Sequence, residues 1–554
     1  MNPDTLAEAI LAVATPIAAS LRPDEALDID ASDIPLERPR NRDHGDWASN
    51  LAMRLAKKLG TNPRELAQQI ADGLVGIDGV ASAEVAGPGF INIRLDAAAA
   101  GALAKTIVEA GDAYGRNDSQ QGVSVNVEFV SANPTGPLHI GHTRWAALGD
   151  SIVRLLLASG ANAVREYYIN DAGVQMQRFA TSVLAAAKGE PTPEGGYPGE
   201  YIASLAARVL ESRPDLLDLP EAEQLRVAEN LAYEYQLAEI KNSLDQFNVP
   251  FDVWFSERTL HAKGAVGTSL VDQAVDRLRE QGHVFDQDGA VWVRTTDFGD
   301  DKDRVIRRSN GEYTYFAADA AYYLNKGDRG FQNKIYLLGA DHHGYVHRLK
   351  AVAGAAGEDP EKNIEVLIGQ LVSVRGARLS KRAGNIIEMD DLRAWIGTDA
   401  LRYALERSPA DSPLDLDPEL LQKRTNDNPV FYVQYAHART HNASRNAADS
   451  GIERIEFAPE TLSHETESAL LGALQEFPRI VAFAAEVREP HRVARYLEEL
   501  AGLYHRWYDN CRITPLGDDP IESVHRTRLW LNDATGQVLR NGLDLLGVSA
   551  PERM

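Results

Sequence analysis

Cysteine is almost absent from this chain, since Cys511 is the one cysteine in 554 residues. An internal disulfide and a zinc site built from several thiolates are therefore both excluded, and the sequence fits a reducing compartment. Basic residues are also scarce, because 57 Lys and Arg face 81 Asp and Glu, a formal charge of −24. A chain this acidic does not coat nucleic acid indiscriminately, so any polyanion it binds must meet a local basic patch.

Long apolar runs are missing as well. No stretch approaches the roughly 18 uninterrupted apolar residues of a membrane span, and residues 1–26 contain Asp4, Glu8 and Asp24 with no basic segment ahead of them. The sequence therefore predicts no membrane partner and no signal peptide, and we expect a cytoplasmic protein. What is present, 44% apolar and 25% charged residues, is ordinary globular composition. At roughly 150 residues per domain, the length suggests three or four domains.

The first 110 residues predict a small α/β domain. They open with apolar residues at helical spacing and close with an alternating apolar run at residues 90–95, which is typical of a strand. Residues 111–122, rich in Gly, Asn, Asp and Gln, then predict a linker.

Residues 120–405 alternate strand patterns with helix patterns. Strands are predicted at residues 123–130, 163–169, 290–294, 334–338 and 365–374, and helices at residues 138–158 and, around a Gly-rich loop, 176–210. This alternation predicts a Rossmann-like parallel sheet that binds its ligands at the carboxyl edge.

Residues 420–554 are helical in pattern almost throughout. Residues 408–428 are dense in Pro and Asp and predict a second linker. Four helices are predicted near or beyond its end, at residues 430–448, 465–487, 493–510 and 527–546. The predicted fold class is therefore α/β, with a parallel-sheet domain between a small α/β domain and an all-α helical bundle.

Two short motifs point to chemistry. The sequence PLHIGH at residues 137–142 lies between a predicted strand and a predicted helix, so that His139 and His142 point the same way at a helix start, where backbone N–H groups can meet phosphate. Gly141 leaves room for a flat base against the backbone. Far downstream, the basic loop RLSKRAGN at residues 378–385 follows another predicted strand. Taken singly, the first motif fits two surface histidines equally well and the second is typical of a solvated loop.

Taken together, the two motifs resemble the signature of class I aminoacyl-tRNA synthetases, in which a HIGH element and a KMSKS loop clamp the phosphates of ATP from opposite sides. The second lysine of that loop matches Lys381. Further stretches resemble the arginyl-tRNA synthetase family over nearly the whole chain: VEFVSANP at residues 127–134, EYYINDAG at 166–173, FDVWFSE at 251–257, FGDDKD at 298–303, YTYFAAD at 313–319, GADHHG at 339–344, DALR at 399–402 and NPVFYVQYAH at 428–437. Many members of this family lack the second lysine and have a compensating lysine before the HIGH element. Here Lys381 is present, and Thr135, Gly136 and Pro137 precede the histidines.

The resemblance implies an arginine-tRNA ligase. Such an enzyme activates L-arginine with ATP to arginyl-adenylate, releases pyrophosphate, and transfers the arginyl group to the 3′ end of arginine tRNA with release of AMP. ATP is then a substrate that arrives with Mg²⁺ held mainly by its phosphates, and no zinc or other protein-bound metal is expected. Residues 1–110 are implied to contact the tRNA elbow, residues 120–405 to catalyse the reaction and residues 420–554 to bind the anticodon. A monomer is the usual form of the family.

The resemblance also implies residue roles. His139, His142 and Lys381 are expected to stabilise the transferring phosphate, and the expected ATP-binding set adds Gly141, Gly339, Asp341 and Ser380. Without the resemblance, an Asp at position 341 is also typical of a helix cap, and the roles of His342 and His343 are open. The expected arginine-binding residues are Glu128, Asn133, Tyr315 and Asp319. The expected tRNA-binding residues are Tyr435, His437 and Arg439, although a helix pattern of this kind is equally typical of packing.

Three alternatives stay open. Other class I synthetases are disfavoured, because the cysteinyl and methionyl types use cysteine-ligated zinc and the gap between the two motifs is too short for the editing domain of the valyl, leucyl and isoleucyl types. A smaller nucleotidyltransferase shares the H-x-G-H element but lacks a helical bundle of this size. A non-catalytic tRNA-binding paralogue would have little need for His139, His142 and Lys381. Charging of bulk tRNA with each amino acid in the presence of ATP separates these possibilities.

Overall fold

The computed structural model describes residues 3–23, 27–39, 44–264, 267–375 and 387–554. The first part of the chain has a core of its own, because Leu6, Ile10 and Ala14 recur at helical spacing and are buried against a small sheet. The first predicted helix and the strand that closes this part are both confirmed. The elements are α1 (Pro3–Leu21), β1 (Trp47–Ser49), α2 (Leu51–Leu59), α3 (Pro63–Leu74), β2 (Val80–Ala86) and β3 (Phe90–Leu95), with the strands antiparallel in the order β1-β3-β2.

The next helix, α4 (Ala97–Ala110), buries its apolar face elsewhere. Ala104 and Ile107 are fully buried in the same apolar cluster as the C-terminal helices, apart from the core of the first unit. Just after α4, Asn541 from the end of the chain donates hydrogen bonds to the carbonyl oxygens of Gly111 (3.0 Å) and Tyr114 (2.9 Å). The first linker is therefore fixed by the C-terminal part of the molecule.

A five-stranded parallel sheet forms the centre of the molecule, as the βα alternation predicts. Val125 and Val127, on the strand at its middle, are fully buried between the helices on its two faces. The elements of this part are β4 (Ser124–Glu128), α5 (Ile140–Ala158), β5 (Asn162–Ile169), α6 (Val174–Ala187), α7 (Glu200–Ser212), α8 (Glu221–Gln246), β6 (Val253–Ser256), α9 (Arg258–His261), α10 (Leu270–Glu280), β7 (Val284–Gln287), β8 (Ala290–Val293), β9 (Arg304–Arg307), α11 (Tyr315–Asp328), β10 (Asn333–Gly339), α12 (Val346–Ala355), β11 (Ile364–Gly369), β12 (Val372–Val374), α13 (Met389–Ile396), α14 (Thr398–Glu406), β13 (Leu414–Leu416) and α15 (Pro418–Leu421).

The strand order β11-β10-β4-β5-β6 locates the ligand edge. The chain runs from β4 outward to β5 and β6 and later returns to the other side of β4 with β10 and β11. Loops that leave β4 and β10 therefore diverge in opposite directions and open a crevice between them. In open parallel sheets this reversal of strand order is the usual place for a ligand.

Two predicted strands are corrected by the structure. The segment 290–294 does form a strand, but β8 belongs to a separate antiparallel sheet, β7-β8-β9, instead of the parallel one. The segment 365–374 was predicted as one strand and is instead split at Gln370 and Leu371 into β11 and β12, which pairs with β13. An alternating apolar pattern reports which side chains are buried and cannot report which strand is the partner.

Two helical regions complete the fold. Helices α6 to α8 enclose a core of their own around Phe179, Leu205 and Val209, between β5 and β6. The C-terminal bundle consists, as predicted, of four long helices, α16 (Pro429–Asp449), α17 (Glu465–Glu486), α18 (His491–Asn510) and α19 (Ser523–Leu545). Among the residues described, no helix is long and apolar enough to cross a membrane.

A buried carboxylate joins the central helix to its neighbours. Asp150, on α5, accepts hydrogen bonds from Arg154 Nε (2.7 Å), Arg165 Nε on β5 (2.7 Å) and Arg402 Nη2 on α14 (2.8 Å). These guanidinium groups hold the pKa of Asp150 below its usual value in spite of its burial. Arg402 also donates to the carbonyl oxygen of Leu546 (2.9 Å), at the end of α19. One ionised group therefore ties the sheet, α5, α14 and the C-terminal bundle together.

We expect Asp150→Ala to lower the free energy of unfolding by about 3 kcal/mol or more, because it removes the buried carboxylate that three buried or half-buried guanidinium groups share. Urea denaturation followed by circular dichroism measures the loss. Asp544→Ala is the matched control, since Asp544 also pairs with Arg154 but has a side chain that is 74% exposed. Equal stability of the two variants would contradict a central role for Asp150.

Candidate active site

The crevice between β4 and β10 is a cavity of about 840 Å³. It lies at the carboxyl edge of the parallel sheet, next to the amino end of α5. Seven of the residues singled out from the sequence line it, drawn from four separate stretches of chain: Glu128, Asn133, His139, Gly141, His142, Asp319 and Gly339. The fold therefore brings together residues that the sequence keeps far apart.

The two histidines cap helix α5 and orient each other. The Nδ1 atom of His139 accepts a hydrogen bond from the backbone N–H of Gly141 (3.2 Å), and the Nδ1 atom of His142 accepts one from the backbone N–H of His139 (3.2 Å). The ring centroids are 3.8 Å apart. Because each Nδ1 is an acceptor, each neutral ring has its proton on Nε2, where it is a hydrogen-bond donor for a ligand.

Gly141 lies close to the capping imidazole. A Cβ atom at position 141 would lie 3.1 Å from Cε1 of His139, so a larger residue would push the ring by a few tenths of an ångström. The glycine therefore gives room to the capping imidazole, in addition to lining the cavity.

The histidines are neutral at pH 7. Burial lowers the pKa of His139, and burial together with the neighbouring His139 lowers the pKa of His142 to about 3. They can therefore act on a phosphate as neutral N–H donors at a helix amino end, and not as cations.

The turn after β4 is strained where it enters the cavity. Val130 and Ser131 have φ angles of 66° and 40°, a conformation that is rare for any residue other than glycine and rarer still for a β-branched one. This turn projects Asn133 into the cavity lining, where its amide donates to Gln175 Oε1 (2.5 Å).

Glu128, at the end of β4, is held by a buried lysine. The Nζ atom of Lys326 is 2.6 Å from Oε2 of Glu128 and lies 4.0 Å from the ring centroid of Tyr336. Ser131 donates to the other carboxylate oxygen of Glu128 (3.3 Å). No sequence pattern points to Lys326, because its spacing on α11 is that of a core residue.

Asp319 lies on α11 and faces the cavity. It accepts a hydrogen bond from the hydroxyl group of Tyr345, and burial raises its pKa to about 7, with Glu128 adding to the rise. The predicted helix through Tyr315 and Asp319 is present, but Tyr315 is its first residue, is 78% exposed and does not line the cavity. Tyr322, one turn beyond Asp319, does line it.

Sequence reasoning missed a second carboxyl group beside Asp319. Glu257 follows β6, and burial, together with Asp171 and Asp319, raises its pKa to about 7. The signal that could have found it is its position, one residue past a strand of the parallel sheet, where ligand-binding residues of such sheets concentrate. Carboxyl groups whose pKa values are raised by burial and by neighbouring carboxyl groups form a pocket suited to a cation.

The second motif, at residues 378–385, falls in a gap between the described ranges. Ser380 and Lys381 lie outside the described residues, and the side chains of Asp341, His342 and His343 are not described either. The chain that follows this motif is attached to the histidine motif, however. The backbone N–H of Ile140 donates to Ile387 O (2.9 Å) and that of Met389 to Leu138 O (2.8 Å).

The three residues singled out on α16 differ in exposure. Tyr435 is 39% exposed and stacks on Phe431, with ring centroids 5.9 Å apart. Arg439 lies half-buried over the ring of Tyr508 (4.2 Å). His437 is only 1% exposed, because its Nδ1 is hydrogen-bonded to the carbonyl oxygen of Pro551 (2.9 Å). In the free protein His437 therefore anchors the C-terminal segment and does not present a ring to a base.

No three His, Cys, Asp or Glu side chains converge into a metal site within the described ranges.

Comparison with known proteins covers the whole chain. Three family models match: "Arginyl tRNA synthetase N terminal domain" at residues 3–95, "tRNA synthetases class I (R), catalytic domain" at residues 104–190 and 224–414, and "DALR anticodon binding domain" at residues 433–554. The arginine–tRNA ligase of Renibacterium salmoninarum is 63% identical over 557 residues and covers 100% of both chains, and that of Pseudarthrobacter chlorophenolicus is 65% identical over 527 residues and covers 94% of each. Among solved structures, the Thermus thermophilus arginyl-tRNA synthetase superposes with a TM-score of 0.72 at 24% identity, and the match covers 98% of this chain and 99% of the Thermus chain. This likeness shows the shared fold.

We expect the imidazole of His142 to stay neutral, with the proton on Nε2, from pH 8 down to about pH 5, and that of His139 to be neutral at pH 7 and to titrate below its usual pKa. A long-range ¹H–¹⁵N correlation spectrum, assigned with His139→Gln and His142→Gln, reports the tautomer directly. Because the folded-state pKa values are lowered, unfolded chains take up protons below the unfolded pKa of about 6.5 while the folded rings do not, so these residues cost stability as the pH falls. A ring that titrates near pH 6.5 in the folded protein would contradict this.

Proposed function

Because the chain belongs to the arginyl-tRNA synthetase family, we propose that the cavity between β4 and β10 is where it joins arginine to tRNA. The protein is an arginine–tRNA ligase: ATP activates L-arginine to arginyl-adenylate with release of pyrophosphate, and the 3′ end of arginine tRNA then takes the arginyl group with release of AMP. The observation that supports this location is the meeting of two chemistries in one cavity, a pair of neutral donors at a helix amino end and a cluster of carboxyl groups.

The phosphate end of the cavity is the amino end of α5. In the first step the carboxylate of arginine attacks the α-phosphorus of ATP, and the bond from that phosphorus to the leaving pyrophosphate breaks. Negative charge grows on the transferring phosphate, and the Nε2–H groups of His139 and His142 are placed to donate to it. We assign the cationic part of this task to Lys381, assisted by Ser380, and the ribose hydroxyls to Gly339 and Asp341, which follow β10.

ATP enters as its Mg²⁺ complex in this proposal. The phosphate oxygens and water supply the ligands of the metal, which needs no dedicated protein cage. We propose no zinc, because Cys511 is the one cysteine in the sequence and structural zinc sites are built mainly from thiolates and imidazoles.

The other end of the cavity suits arginine. A guanidinium group is a planar fork that pairs best with carboxylates, and Asp319 and Glu257 supply two of them close together. We assign the α-ammonium group to Glu128, which Lys326 holds in place, and to Asn133. Tyr315, one turn before Asp319, has an exposed ring that we assign to covering the guanidinium group once arginine is bound.

We expect Asp319→Asn to raise the KM for arginine about a hundredfold or more, because the amide cannot provide an anionic partner to a buried guanidinium. The wild-type KM should itself rise about tenfold per pH unit below pH 6, since arginine must displace a proton from carboxyl groups whose pKa is about 7 in the empty site. Steady-state aminoacylation between pH 5.5 and 8 measures both effects.

Asp328→Asn is the matched control on the same helix, because Asp328 forms an exposed ion pair with Arg277 (2.7 Å) away from the cavity. Its KM and pH profile should equal those of the wild type. Superimposable arginine titrations of Asp319→Asn and wild-type enzyme would show that Asp319 is not the anchor.

For tRNA, we propose that residues 1–110 meet the elbow and residues 420–554 the anticodon, on either side of a catalytic part at residues 120–405. Tyr435 and Arg439 are exposed enough to stack on or pair with unpaired bases. His437 contributes indirectly, by fixing the C-terminal segment through Pro551.

We propose further that the enzyme works as a monomer in the cytoplasm. The monomer is supported by the usual form of the family to which the chain belongs. Cys511 is buried and free, a state that a reducing compartment preserves.

The last proposal is that arginine activation itself needs tRNA. The second linker leads from the sheet to the bundle through β13, whose partner β12 lies just before the basic loop. Binding of tRNA to the bundle can therefore bias the arrangement of the loop that contains Lys381.

We expect arginine-dependent exchange of pyrophosphate into ATP to be negligible without tRNA and to appear when uncharged arginine tRNA is added. Periodate-oxidised tRNA, which cannot accept arginine, separates the effect of binding from that of transfer. Robust exchange by tRNA-free enzyme would refute the coupling, while the arginine assignment, which depends on other residues, would stand.

A further inference from the structure

Arg144 is a buried cation two residues past His142 on α5, and no carboxylate of the described residues accepts a hydrogen bond from it. It is 1% exposed. Its Nη1 atom donates to the carbonyl oxygens of Gln370 (3.2 Å) and Ser412 (2.8 Å), and its Nη2 atom donates to that of Pro409 (2.8 Å). One guanidinium group therefore joins three backbone carbonyls from two segments that are distant in sequence.

The carbonyl of Gln370 belongs to residues 369–372, which form one wall of the cavity, and those of Pro409 and Ser412 belong to the second linker. Residues 369–372 line the cavity, as do His139 and His142. The backbone N–H of Gln370 donates to Ala410 O (3.0 Å), and that of Leu414 donates to Leu371 O (3.1 Å). The wall and the second linker thus form one hydrogen-bonded unit, and Arg144 attaches that unit to α5.

The neighbouring residue, Trp145, fixes the same wall by packing. A Cβ atom at Gly369 would lie 1.5 Å from Cη2 of the Trp145 ring, so the backbone of the wall rests directly on the indole. Trp145 sets how close the wall can approach α5, and Arg144 prevents it from moving away. Together they fix the width of the cavity.

We propose that Arg144 is a positioning residue for ATP, which holds residues 369–372 at a set distance from His139 and His142. This proposal depends on the assignment of the histidines to the phosphates made above. A nucleotide that spans the cavity must meet both walls at once, and a displacement of about 1 Å between reacting groups can cost about a hundredfold in rate. The residues assigned to arginine lie at the end of β4 and in the turn after it, on α11 and after β6, outside the wall and the linker that Arg144 holds, so arginine binding does not depend on this attachment.

The test compares Arg144→Met with Arg402→Met. Arg402 is a matched control, because it is also buried and donates to three backbone carbonyls, those of Leu546 (2.9 Å), Phe247 (3.3 Å) and Asn248 (3.0 Å), but it lies outside the cavity lining. Lysine at each position provides a second pair that keeps the charge and loses the planar fork. ATP–pyrophosphate exchange with saturating arginine tRNA gives kcat and the KM for ATP and for arginine, and thermal unfolding is measured in parallel.

We expect Arg144→Met to lower kcat about ten- to a hundredfold and to raise the KM for ATP about fivefold or more, with the KM for arginine within twofold of wild type. The kcat and the KM for ATP of Arg144→Lys should lie between those of the wild type and Arg144→Met, since an ammonium group still reaches one or two carbonyls. The Arg402 variants should lower the unfolding temperature and leave kcat and the KM for ATP within about threefold.

Two results would overturn the proposal: wild-type kcat and KM for ATP in folded Arg144→Met and Arg144→Lys, or equal losses in the Arg144 and Arg402 series. His142→Gln separates this failure from failure of the underlying assignment. If His142→Gln exchanges at the wild-type rate, the role of the histidines is wrong. If His142→Gln is slow and the Arg144 variants are normal, the role of Arg144 alone is wrong.

Discussion

The geometry of the candidate active site depends on the position of helix α5. Its amino end holds the histidine pair, its second turn provides Arg144 and Trp145, and Asp150 on its third turn neutralises guanidinium groups from β5 and α14. A helix pinned by charge at its middle and by hydrogen bonds at its start cannot slide or rotate without breaking several buried contacts at once. The precision needed for phosphate chemistry is therefore obtained from the interior of the protein, away from the ligand.

The two ends of the cavity solve opposite electrostatic problems. In the proposed function, the negatively charged phosphates meet neutral imidazoles at a helix amino end, and Lys381 supplies the full positive charge. The positively charged amino acid meets a cluster of carboxyl groups that burial keeps partly protonated until the cation arrives. An overall charge of −24 is compatible with polyanionic substrates because the local fields, and not the net charge, decide what binds at each end.

Sequence reasoning predicted the fold class and brought seven cavity residues to light, because motifs such as PLHIGH combine unusual side chains at fixed spacing. It could not find Lys326, Glu257 or Arg144, since each acts through a partner that is distant in sequence. It also predicted one strand at residues 365–374 where there are two, because the break at Gln370 is imposed by the linker and by Arg144 instead of by local pattern. For Tyr315 the sequence gave the correct helix but not the exposure, which depends on what packs against its first turn.

The packing of α4 has a consequence for how the chain is made. This helix is complete once residue 110 has been synthesised, but Ala104 and Ile107 are buried against helices that end near residue 545. At roughly 5–20 residues per second, the ribosome leaves its apolar face without a native partner for tens of seconds. The first unit can close its own core in that interval, whereas α4 must wait for the last helices. Folding of a newly made chain therefore ends when α4 packs against the C-terminal helices. Truncation near the C-terminus would leave the apolar face of α4 exposed to solvent.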